Sequence, residues 1–179
     1  MAKTTTGYVD LDDGELYYEM AGDGDILVLG HAGFVDNRMW DAQWDAFTQK
    51  YRVIRFDMRG YGKSDPAAGP RTRRNDLFQL LNHLHVERAA LLGCSLSGQV
   101  MIDFVLEHPE MTSALMTTST APSGFQLQGD PHRIYLKWHQ PCNRGIQHVH
   151  LNCKFAFGLM VHIVNQNRST QRFVNTLRR

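Results

Sequence analysis

Leu91-Leu92-Gly93-Cys94-Ser95-Leu96-Ser97-Gly98-Gln99-Val100 decides how this chain is read. It joins an apolar run, Ala89-Ala90-Leu91-Leu92, to the segment Val100 to Leu106, in which only Asp103 is polar. The first suits a buried strand, the second a buried helix stopped by Pro109. From Gly93 the pattern is G-x-S-x-S, one substitution from the G-x-S-x-G turn that presents a nucleophilic serine between strand and helix. That turn is tight, so its neighbours must be small; Ser97 meets the demand where glycine is usual. Ser95 is the candidate nucleophile. Its Oγ would project at the carboxyl end of the sheet, where the next helix aims free N–H groups and the positive end of its dipole. The Leu96 N–H is one candidate oxyanion donor. The second is expected from His31-Ala32-Gly33-Phe34, supplied by Gly33 or Phe34.

Strands and helices alternate outward from this turn. Gly7 to Leu11 and Glu15 to Glu19 flank Asp12-Asp13-Gly14 and predict a hairpin, with Asp-Gly supplying the positive φ angles of a primed turn. Ile26 to Leu29 is wholly apolar, as in a strand covered on both faces. Trp40, Trp44 and Phe47 recur at helical spacing between Asp36 and Lys50. Arg52 to Phe56 predicts a strand and runs into a Gly-rich loop ending at Pro66. Leu77, Leu80, Leu81 and Leu84 mark an amphipathic helix. Ala114 to Thr118 is the last recognisable strand. The alternation predicts an α/β class with a mainly parallel sheet and an N-terminal antiparallel hairpin.

Competing motifs are incomplete. Gly93 to Gly98 has phosphate-loop spacing, but Gln99-Val100 stand where Lys-Ser or Lys-Thr is needed. Gly22-x-Gly24 and Gly60-x-Gly62 lack the third glycine of a dinucleotide fingerprint. Cys94 is read as a packed small hydrophobe.

Three motifs follow the hairpin in a definite order: Leu27-Val28-Leu29-Gly30-His31-Ala32-Gly33-Phe34, Phe56-Asp57-Met58-Arg59-Gly60-Tyr61-Gly62-Lys63-Ser64, and Gly93-Cys94-Ser95-Leu96-Ser97-Gly98. Together they resemble the α/β-hydrolase fold family, in its branch of small esterase-, lactonase- and haloperoxidase-like serine enzymes, over Gly7 to about Gly124. The resemblance implies hydrolysis of a small ester, lactone or related acyl substrate, with no cofactor and no metal. Serine at position 95 is unlike the dehalogenase and epoxide-hydrolase branches, which use a carboxylate there. His31 is implied to shape its loop rather than act as base. The family carries its acid and its catalytic histidine on later strands, beyond a helical cap. No residue of this chain matches either, so acid and base stay unassigned. The chain is expected to be an N-terminal part of such a fold, incomplete at its C-terminal end, with little or no turnover.

Composition agrees with a globular chain: 179 residues, 42% hydrophobic and 21% charged. With 19 Lys and Arg against 18 Asp and Glu, nothing favours nucleic acid or an anionic membrane as partner. No signal-like segment or membrane-length apolar run is visible, and three Cys do not suit a disulfide framework, so a cytoplasmic location is expected.

The composition changes near residue 130. Residues 1–129 read as the hydrolase-like core and 130–179 as a distinct tail. The tail holds five of the nine His, two of the three Cys, no Glu, and Asp130 as its only acid. It is either cap-like or translated out of frame over 138–143 and about 151–179. Back-translation of Leu151 to Ile163, read one base earlier, permits Glu-Leu-Gln-Ile-Arg-Ile-Trp-Phe-Asp-Gly-Pro-His, a sensible amphipathic stretch. Two alternatives to a hydrolase remain: a non-catalytic fragment with an open sheet edge at Ala114 to Thr118, and a metal-binding tail using His132, His139, Cys142, His148, His150 and Cys153.

Overall fold

The computed structural model describes residues 3–67 and 73–120, together with a short strand at 164–165. The strands are β1 (Thr5–Leu11), β2 (Gly14–Ala21), β3 (Ile26–Gly30), β4 (Arg52–Phe56), β5 (Ala89–Cys94), β6 (Thr112–Thr118) and β7 (Val164–Asn165). The helices are α1 (Asp41–Thr48), α2 (Arg73–His83) and α3 (Leu96–Glu107). One sheet holds all the strands in the order β1-β2-β4-β3-β5-β6-β7. β3 to β6 run parallel, while β1, β2 and β7 join antiparallel. The expected α/β class and hairpin are therefore present.

The parallel strands alternate their faces. Val28, Ile54, Phe56, Leu91 and Leu115 pack with Leu77, Leu80 and Leu81 of α2 and Met101, Phe104 and Val105 of α3. Leu29 and Val53 pack with Trp40, and partly buried Trp44 and Phe47 of α1 join them. The helices thus cover opposite faces, as right-handed crossovers require. The two-sided cover expected of β3 holds for Val28 and Leu29 but not for the partly buried Ile26 and Leu27, and β5 is buried on one side: Ala89, Leu91 and Gly93 are buried, but Ala90, Leu92 and Cys94 only partly so. Among the described residues α3 covers the first set, whereas α1 contacts β4.

Two expectations need correction. The hairpin tip is Asp12-Asp13, and the positive φ falls on Gly14 alone, at 131°, so the turn is not of the primed type. A glycine just after the turn takes up the twist that a primed turn would have supplied. Nor is β6 the last strand: β7 pairs with it at Ala114 and Leu115, so part of the expected open edge is occupied.

Buried polar ties hold the 57–66 loop to the hairpin. The Arg59 guanidinium, almost fully buried, donates to the Asp13 carboxylate and to the carbonyls of Asp13, Asp65 and Pro66. Arg55 pairs with Glu19 and Asp41, each at 2.6 Å, and lies 4.3 Å from the Trp44 ring centre. Burial opposes its charge, and the two carboxylates more than offset that, raising its pKa.

Candidate active site

The site follows from the order of the central strands. The chain goes from β3 to its neighbour β4 on one side, and then to β5 on the other side of β3. Connections from β3 and β5 therefore leave in opposite directions and open a crevice at the carboxyl ends of the strands. Gly30 and Gly93 face each other in the β3–β5 register. The loop beginning at His31 and the turn at Ser95 consequently emerge side by side.

Ser95 is exposed at the tip of β5. Its backbone is left-handed, with φ 51° and ψ −111°. A non-glycine residue held there costs about 1–3 kcal/mol, so its surroundings must enforce the conformation. Small neighbours make the turn possible. A Cβ on Gly93 would stand 2.7 Å from both Cα and N of Gly98. A Cβ on Gly30 would stand 2.5 Å from Ser97 Cβ. The smallness expected of Ser97 is thus required by contact with β3.

Leu96 opens α3, so its N–H is among the helix-end donors without an intrahelical acceptor. Gly33 lies against it: a Cβ there would be 3.9 Å from Leu96 Cβ and 3.8 Å from Cδ2. Phe34 follows with φ 65° and is 97% exposed. The strand order thus brings Ser95, Leu96 and Gly33 together, with Phe34 next in the chain.

The 31–37 loop is fastened from below. His31 is fully buried, its Nε2 accepts the Met58 N–H at 2.9 Å, and Nδ1 lies 2.7 Å from the Ala32 carbonyl. Accepting at Nε2 leaves the proton on Nδ1, where it is donated to Ala32. Burial pushes the His31 pKa below its ordinary value, so the ring stays neutral. The buried Asp57 carboxylate accepts N–H bonds from Asn37 at 2.7 Å and Lys63 at 2.9 Å, binding this loop to the next. The Ala32 N–H points to the Met39 sulfur at 3.4 Å.

Other residues at the turn were not visible as functional in the sequence. The Ser97 hydroxyl accepts from the Cys94 N–H at 2.9 Å and lies 3.1 Å from the Cys94 carbonyl, to which it donates. Ser95 N–H donates to the Thr118 carbonyl at 2.8 Å, and the Thr120 hydroxyl donates to the Ser95 carbonyl at 2.7 Å. Ser119, at φ 53°, turns the chain between those contacts. Only the β5–β6 register and that φ could have revealed this.

No described histidine can serve Ser95. His31 uses both ring nitrogens. His83 and His85 precede β5, whose six residues span about 20 Å. His108 follows α3, whose twelve residues span about 18 Å. The Cys/His cluster of the alternative metal-binding reading lies outside the described residues; among those described, no group of three or more His, Cys, Asp or Glu could hold a metal. No described helix is long and apolar enough to cross a membrane.

Comparison with known proteins places the site in context. Residues 25–140 match the family model described as alpha/beta hydrolase fold. A pimeloyl-[acyl-carrier protein] methyl ester esterase of Aliivibrio fischeri is 30% identical over 110 residues, 60% of this chain and 41% of the esterase. Epoxide hydrolase 3 of Xenopus tropicalis is 28% identical over 130 residues, 66% of this chain and 35% of that enzyme. The solved structure of Est816, an N-acyl homoserine lactone degrading enzyme, has TM-score 0.61 and 29% identity, covering 64% of this chain and 45% of Est816. The matched stretch spans about two fifths of the esterase.

Proposed function

The chain belongs to the alpha/beta hydrolase fold family, and from that membership we propose that it is the nucleophile-bearing part of a serine hydrolase acting on small esters, lactones or related acyl compounds. The observation that carries the reading is the left-handed Ser95 between β5 and α3, against the loop holding Gly33. Ser95 Oγ attacks the acyl carbon, and the carbonyl oxygen becomes an oxyanion. Leu96 N–H and the N–H of Gly33 or Phe34 receive that charge. Collapse expels the alcohol, and water then releases the acid from the acyl-serine.

The base that takes the serine proton and returns it to the leaving alcohol stays unassigned, as does the group that orients it; no described histidine is placed for the first role. Without them the oxyanion donors sustain only weak catalysis. A serine at position 95 favours acyl transfer over the epoxide opening named for the Xenopus relative, since the resemblance ties that chemistry to a carboxylate at this position.

A fluorophosphonate probe tests the assignment. Slow labelling is expected at Ser95 alone and is lost in Ser95→Ala. Label on another residue, or none at all, would overturn it. Rapid labelling would instead reveal a working base within this chain and end the non-catalytic reading. Release of nitrophenol from p-nitrophenyl acetate above the Ser95→Ala background gives the corresponding turnover measurement.

A further inference from the structure

We propose that the side chains of Ser97 and Thr120 are positioning residues, a two-sided hydroxyl brace that holds Ser95 in its left-handed conformation. On the sheet side, Ser97 is fully buried, and its hydroxyl accepts from the Cys94 N–H at 2.9 Å and donates to the Cys94 carbonyl at 3.1 Å. Both backbone polar groups of the residue before the nucleophile are thereby tied to the first turn of α3. On the other side, the Thr120 hydroxyl donates to the Ser95 carbonyl at 2.7 Å. The Ser95 N–H is held by the Thr118 carbonyl at 2.8 Å.

A glycine at position 97 would satisfy the space beside Gly30 but could not make the first pair of bonds. The serine fits the same space and adds them. Thr120 also packs on the helix start: a Cβ on Gly98 would stand 2.7 Å from Thr120 Cγ2. An unfavourable backbone conformation persists only where its surroundings over-determine it, and these hydroxyls supply that constraint from two elements. Their value for catalysis rests on Ser95 being the nucleophile; their hold on its backbone does not.

Amide hydrogen exchange by NMR tests the brace, with Ser97→Ala, Thr120→Val and Thr120→Ser as variants. Removing one such hydrogen bond should speed exchange by about five- to tenfold at Ser95 and at Gln99, whose N–H donates to the Ser95 carbonyl at 3.1 Å. Amides in the middle of β3 and β4 should keep their protection, whereas general destabilisation would speed those as well. Thr120→Ser retains the hydroxyl and should restore the wild-type rate. If Ser97→Ala does not fold, Thr120→Val carries the comparison, because it replaces a hydroxyl by a methyl at the rim. Unchanged exchange at Ser95 in the folded variants overturns the brace, as does a rise shared by the core strands. Fluorophosphonate labelling of the same proteins should slow by a similar factor. Faster exchange in a protein whose wild type takes no label would support the brace and defeat the serine-hydrolase reading.

Discussion

A methyl group on Gly93 would meet backbone atoms of Gly98 at 2.7 Å, and backbone at the start of a packed helix has little room to retreat. Gly93→Ala should therefore destabilise the protein by about 1–3 kcal/mol, read from the urea midpoint, and reduce labelling of Ser95. A variant with unchanged midpoint and reactivity would show that the strand and helix do not meet this closely in solution. The requirement for small residues here was readable because strand, turn and helix are consecutive in the chain. The hydroxyl bonds were not, since Thr120 is 25 positions from Ser95 and meets it only through the β5–β6 register. The left-handed turn at Ser119 has no residue-type signature either; glycine or asparagine would have marked it.

Amphipathic spacing made α2 readable, and apolar density did the same for α3, because each buries a continuous face against the sheet. Phe104 and Met101 of α3 are fully buried, packed with α2 and the central strands. Phe104→Ala should cost about 3–5 kcal/mol through lost burial and an unfilled cavity. A loss near 1 kcal/mol in urea unfolding would mean that α3 collapses onto the gap. The hairpin was legible as an element but not in its turn type. Both strands keep their register with Asp12 and Asp13 at ordinary φ values because Gly14 absorbs the twist. Half-burial of alternate β5 residues was also hidden: an apolar run shows what can be buried, not which helix arrives to cover it.

His31 links the fold's stability to pH. Its folded pKa is lowered by burial, while the unfolded ring has its ordinary value near 6.5. Above that value both states are neutral and the group costs nothing. As pH falls below it, the unfolded chain binds a proton that the folded chain refuses, so stability declines until pH passes the lowered folded value. Urea unfolding between pH 7.5 and 5 should therefore show a larger loss for wild type than for His31→Gln. Equal losses would assign the acid sensitivity to other groups. A direct NMR titration should find the His31 ring changing charge below its ordinary value.

The strand order also has a consequence for synthesis. β3 lies between β4 and β5, and its two partners are made at different times. β4 ends at Phe56 and β5 only at Cys94, a delay of about 2–8 s at ordinary ribosomal rates. During that interval the nascent chain carries a hairpin, β3 and β4 with one apolar edge of β3 open. That edge is the most exposed to intermolecular pairing, and the Ser95 turn appears with the strand that closes it. The Ser95 turn thus emerges as β3 gains its second partner, and it gains its bonds to Thr118 and Thr120 only once β6 has followed.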